Sequence, residues 1–157
     1  MPARTCRGGA LGLAALLAVA LAPSVSAEPV GSAEAAIRKT LAQWTADFND
    51  GRSSEVCKLF ALELRYDYRG FPERSYDDIC ALLQESLTDL GTSYVYELQV
   101  NEVMVSGDLA AVRLVWTLIV KRRGDLAGTI TKEPGLDIFR RQRDGSWKIV
   151  RYLAFEE

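Results

Sequence analysis

The feature that most limits what this chain can fold into is a single change in its hydrophobic period. Up to residue 90 the apolar pattern is mainly helical, and after Gly91 apolar residues alternate with period two. Tyr94 to Val105, Ala110 to Lys121, Gly128 to Arg141 and Trp147 to Phe155 read as four long strands. Gly107-Asp108 and Asp144-Gly145 are hairpin signals between them, and Arg123-Gly124-Asp125 is a weaker one. Helices first and an antiparallel meander afterwards predict an α+β domain, with the helices packed on one face of the sheet.

The first half supplies the helices. Ala36, Ile37, Leu41, Trp44, Thr45 and Phe48 form one stripe of a helix from about Ala33 to Asp50, which Gly51 closes. Asp47 falls on its polar side. Ser53 or Ser54 is expected to cap a second, shorter helix carrying Val56, Leu59 and Phe60. Leu64 to Tyr68 alternates like a strand, and Gly70-Phe71-Pro72 breaks it. Ser75 with Asp78 three residues on is a capping-box start for a third helix, roughly Tyr76 to Asp89. Ile79, Leu82, Leu83 and Leu87 supply its buried face.

The N-terminus reads as a signal peptide over residues 1–27, leaving a domain at 28–157. Arg4 and Arg7 make a basic start, Ala10 to Ala22 an apolar run, and Val25 and Ala27 occupy the small-residue sites before a cut. The alternative is a signal anchor, but 13 apolar residues fall short of the roughly 20 that span a bilayer. The expected location is therefore the periplasm or the outside of the cell, with no membrane attachment after cleavage. Removing Arg4 and Arg7 from the 19 basic residues leaves 17 against 21 acidic ones, a formal net charge of −4. Lys121-Arg122-Arg123 and Arg140-Arg141 are short clusters at strand ends, so no nucleic-acid partner is expected.

Cleavage would also remove Cys6, leaving Cys57 and Cys80. An even pair in an exported chain suggests a disulfide, and two separate buried thiols are the alternative. With 22 residues enclosed, a disulfide would contribute about 3 kcal/mol. There is no histidine, so carboxyls are the main acid–base groups available. No metal-ligand cluster and no phosphate-binding glycine loop is present, and no cofactor is expected. Among the carboxyls Asp137 stands out. In Leu136-Asp137-Ile138-Phe139 it shares a strand face with Phe139, so it sits either in an apolar pocket, with a raised pKa, or on an outer face. On the outer face it would pair with Arg113 or Arg151.

The order of pieces resembles the nuclear-transport-factor-2-like superfamily, in its SnoaL-like and ketosteroid-isomerase-like branch. Trp44-Thr45-Ala46-Asp47-Phe48-Asn49-Asp50-Gly51, Leu59-Phe60-Ala61 leading to Tyr66-Asp67-Tyr68, Arg74-Ser75, and Leu136-Asp137-Ile138-Phe139 before Asp144-Gly145-Ser146-Trp147-Lys148-Ile149 carry the resemblance. It implies a curved antiparallel sheet and three N-terminal helices forming a cone (a cystatin-like roll), with an apolar pocket at the open end. It also implies that dimerisation through the outer sheet face is common among such proteins. By the same resemblance Trp44 stands where the isomerases have a hydrogen-bonding tyrosine. Tyr68, with Asp67 adjacent, stands at their general base, and Asp137 at the acid that donates to an enolate.

The resemblance and the aromatic content together give the expected site. Asp137, Asp67 and Tyr68 are the candidate catalytic residues. Trp44, Phe48, Phe60, Tyr66, Phe71, Met104, Leu114, Trp116, Leu118, Phe139 and Phe155 are the candidate wall of a pocket for a small apolar ligand. Tyr66 and Tyr68 share a strand face, so if that face is inward Asp67 is exposed. The expected function is binding of that ligand, with cofactor-free isomerisation or dehydration as its enzymatic form. The alternative is a non-catalytic carrier or a protein-interaction domain.

Overall fold

The computed structural model describes residues 30–156, so the segment read as a signal peptide and Cys6 lie outside the described residues. Helix α1 (Val30–Asn49) buries Ala33, Ile37, Leu41, Trp44 and Phe48, the three- and four-residue spacing of one helical face. Gly51, at φ +73°, takes the left-handed conformation that reverses the chain, and its N–H donates to the Phe48 carbonyl at 2.9 Å. That reversal carries Arg52 back over the helix end. Asp47 is thereby buried rather than on a polar side, its Oδ1 accepting from Gln43 Nε2 at 2.9 Å and Arg52 Nη1 at 2.7 Å.

The expected second helix is a single 3₁₀ turn, Val56–Leu59, with Glu55 at its N-cap and no side-chain cap from Ser53 or Ser54. Phe60 leaves the turn to pair with Ile149, so it opens strand β1 (Phe60–Tyr68) instead of extending a helix. Among the described residues two α-helices and this turn therefore replace the three helices expected. The short strand β2 (Arg74–Ser75) leads into α2 (Tyr76–Thr88). The capping box forms as read: the Ser75 N–H and Oγ–H both donate to Asp78 Oδ2, at 2.7 and 2.6 Å. A Cys57–Cys80 disulfide ties the 3₁₀ turn to α2.

Four strands complete the domain: β3 (Thr92–Ser106), β4 (Leu109–Arg122), β5 (Thr129–Arg141) and β6 (Trp147–Ala154). The sheet order is β2-β1-β6-β5-β4-β3, with β1 parallel to β6 and every other pair antiparallel. The sheet is curved and unclosed. Its concave face packs under α1 and α2, where Val112, Leu114, Phe139 and Ile149 join the helix stripe in one core. The opposite face presents Arg113, Arg151, Leu136 and Leu153 to solvent.

Candidate active site

Strand alternation sets out the site in rows across the concave face. Asp137 is the register partner of Tyr152, and Tyr152 of Tyr66, so three polar side chains stand side by side on β5, β6 and β1. Two residues along lie Gly135 and Ala154, followed across β1 by Tyr68. Beyond them Glu133 stands opposite Trp116. Gly135 and Ala154 carry almost no side chain, and the space they leave is part of a cavity of about 470 Å³. Ile79, Leu82 and Leu83 of α2 form its far wall, Phe71 and Arg74 its rim.

One end of the cavity is aromatic. Trp44, Tyr96 and Trp116 meet with ring centroids 5.0 to 5.7 Å apart. The Trp44 indole N–H is committed to the Val56 carbonyl at 2.7 Å and is not free to orient a ligand. Tyr66 and Tyr152 stack with centroids 4.3 Å apart. Among the described residues no hydrogen bond of good geometry reaches the buried Tyr66 hydroxyl. The Tyr152 hydroxyl, raised in pKa first by burial, lies close enough to feel it.

Asp137 is 3% exposed, and no ion pair or hydrogen bond engages its carboxyl among the described residues. Burial alone pushes its pKa to about 7. The arginines considered as partners are on the other face. Arg113 pairs with Glu102 at 3.5 Å, and Arg151 donates to the Glu63 carbonyl at 3.0 Å. Alternation decides this: Arg113 is in register with Leu136 and Arg151 with Ile138, the neighbours of Asp137 that face outwards.

A second polar group closes the mouth. The Tyr68 hydroxyl donates to Glu156 Oε1 at 2.7 Å and lies 3.4 Å from Glu133 Oε1. The Glu133 carboxyl is raised by burial and then by the Glu156 charge, while the Tyr68 hydroxyl opposes the rise. Burial first, then the bond to Glu156, holds the Tyr68 proton tightly. Arg74 places its guanidinium 4.3 Å from the Phe71 ring centre.

Of the residues named from sequence, Asp137, Tyr68, Trp44, Phe60, Tyr66, Phe71, Trp116 and Leu118 line this cavity. Phe48, Leu114 and Phe139 are core residues that do not reach it. Asp67 is exposed, because Leu64, Tyr66 and Tyr68 take the inner face of β1; it lies in a shallow outer groove with Phe155. Phe155 is 42% exposed, one residue past the inward Ala154. Met104 is 54% exposed for a different reason. A bulge between Val100 and Glu102 reverses the alternation of β3, so Tyr94, Tyr96 and Leu98 face inwards before it and Val103 and Val105 after it.

Glu133, Tyr96, Tyr152, Arg74 and Glu156 are cavity residues that sequence reasoning missed. For Glu133 the signal was present, since alternation carried back from Asp137 through Gly135 lands on it. Glu156 follows the last strand and had no such signal. Among the described residues no three His, Cys, Asp or Glu side chains gather as a metal site requires.

No family profile and no curated protein matches the chain. Solved structures do. An NTF2-like protein with a cystatin-like fold from Novosphingobium aromaticivorans superposes with a TM-score of 0.66 at 20% identity, covering 81% of this chain and 83% of that one. The chain has the nuclear-transport-factor-2-like fold. A ketosteroid isomerase-like protein from Erwinia carotovora atroseptica gives 0.62 at 18% identity, over 78% of this chain and 94% of the other. A Catenulispora acidiphila protein, solved in complex with S-DNPA, gives 0.63 at 13% identity over 80% and 94%. At these identities the likeness concerns the fold, and the chemistry rests on the residues of the cavity.

Proposed function

We propose that this is an exported protein whose cavity binds one small, mostly apolar molecule, with a carbonyl or hydroxyl oxygen of that molecule against Asp137. The observation that carries the reading is a buried carboxyl, unpaired among the described residues, facing about 470 Å³ of largely aromatic space. Such a group near pH 7 is divided between acid and carboxylate, so it can donate a hydrogen bond or accept a proton. Tyr66 and Tyr152, beside it in the same row, supply hydroxyl donors for the same oxygen. The matching chemistry is cofactor-free isomerisation or dehydration next to a carbonyl. In an isomerisation the Asp137 carboxylate takes the proton from one carbon and returns it to another, while the tyrosine hydroxyls hold the negative oxygen formed between the two steps. The S-DNPA complex and the isomerase-like neighbour support the small-molecule reading.

A carrier is the second reading, and the outward position of Asp67 favours it, because the cavity then holds one deep carboxyl instead of an acid and a base. The exposed Leu136, Leu153 and Phe155 on the convex face are where we place a second copy of the chain or another exported protein.

The test is a thermal-shift and NMR screen of small aromatic ketones, enones and alcohols against the wild type and Ala154→Leu. The longer side chain fills the cavity floor. Compounds that stabilise the wild type and lose their effect in Ala154→Leu support the reading, and a follow-up with Asp137→Asn separates turnover from affinity. If no compound binds, or if Ala154→Leu binds as well as wild type, the cavity is not a ligand site.

A further inference from the structure

The two polar ends of the cavity differ in kind. At the deep end stands Asp137 with its hydroxyl neighbours. At the mouth, Glu133 and Glu156 share one hydroxyl, which puts their nearer oxygens within about 6 Å of each other. Tyr68 has one proton to give and gives it to Glu156 at the shorter distance, so Glu133 is left with the longer contact. No lysine or arginine pairs with either carboxyl among the described residues. Arg74, the cation on the cavity wall, lies over Phe71, and its charge acts on Asp78.

Two carboxyls on one donor are by themselves an ordinary surface feature. Here they close a cavity whose other end holds Asp137, 97% buried and with no hydrogen bond or ion pair among the described residues, and both ends look onto the same empty space. Glu133 and Asp137 are four residues apart on one strand, roughly 13 Å at the usual rise. That span suits a flat two-ring body with a polar group at each end. The cavity walls also carry the aromatic rings of Tyr68, Tyr96 and Trp116, with Trp116 level with Glu133 in the sheet, and such rings attract a cation as well as an apolar body.

We propose that the ligand of this cavity carries a protonated amine, seated at the mouth between Glu133 and Glu156, with its apolar body running inwards towards Asp137. An ammonium brings three donors to two carboxylates that have one between them, and it cancels their repulsion. A neutral alcohol can replace only part of this, and an anion none of it. The inference rests on the reading of the cavity as a small-molecule site.

The test compares three probes of one skeleton by calorimetry at pH 7: 2-naphthylmethylammonium, 2-naphthylmethanol and 2-naphthylacetate. In the wild type the amine is expected to bind at least tenfold more tightly than the alcohol, and the acetate least tightly. In the Glu133→Gln/Glu156→Gln variant the amine should fall to the affinity of the alcohol, while the alcohol keeps most of its affinity because an amide oxygen still accepts its single hydrogen bond, which shows that the cavity is intact. An alcohol that equals or exceeds the amine in the wild type overturns the amine proposal and leaves the small-molecule reading standing. So does a preference for the amine that survives in the double variant. If none of the three binds, the small-molecule reading falls and the amine proposal with it.

Discussion

Replacing Asp137 by asparagine keeps the shape of the side chain and removes its ionisation, so the variant isolates what burying this carboxyl does to stability. In the folded chain the group titrates at about 7, against 3.8 when it is solvated. Between those values the folded state holds a proton that the unfolded state releases. Stability from this group is therefore complete below about pH 4, falls as pH rises, and levels off above about 7. The whole span corresponds to about 4 kcal/mol, since each pKa step is worth about 1.4. From pH 4.5 to 8 the wild type should lose about 3 kcal/mol relative to Asp137→Asn. All other carboxyls are common to both proteins, so their titration cancels in the difference. Urea unfolding followed by tryptophan fluorescence at the two pH values, with the disulfide intact, reads it directly. A difference between the two proteins that stays constant within about 0.5 kcal/mol, the spread of an ordinary surface change, would refute the placement of Asp137 in a dry cavity.

Three further outcomes follow from the same geometry. Asp67→Asn should leave stability within about 0.5 kcal/mol of wild type and leave ligand binding unchanged, because its side chain faces the outer groove; lost binding would put the acid on the wrong face here. Leu114→Ala, in the core and off the cavity, should cost about 2–5 kcal/mol in urea unfolding, whereas Leu118→Ala on the cavity wall should act mainly on ligand affinity. Cys57→Ser should lower stability by about 3 kcal/mol, and a reducing agent should bring the wild type to the same midpoint.

The sheet was legible because its alternation is long and interrupted by well-placed turns. The predicted strand ends lie within two residues of the observed ones for β3 to β6. The errors have local physical causes. Phe60 fits the spacing of a helix started at Val56, and only its pairing with Ile149, far along the chain, makes it a strand residue. Met104 fits the alternation that begins at Tyr94, and one extra residue near Asn101 turns it to solvent; the three-residue step from Val100 to Val103 is the mark that this bulge leaves in the pattern. Asp47 looks solvated until the turn at Gly51 folds Arg52 onto it. Asp137 itself was legible as a pocket acid or an outer-face ion pair, and the choice between them depended on which face the helices cover. Glu133 was legible from the same alternation. Its meaning depends on Tyr68 and Glu156, which approach it from β1 and from the chain end.

The most direct test of the account is the titration of the Asp137 carboxyl, followed by carboxyl-carbon NMR on the folded protein and assigned with Asp137→Asn. A midpoint near 7 is the predicted result, the signature of a carboxyl held without a charge partner in an apolar cavity. A midpoint at or below about 4, the value of a solvated or ion-paired aspartate, would contradict it and remove the raised pKa on which the proposed proton transfer depends.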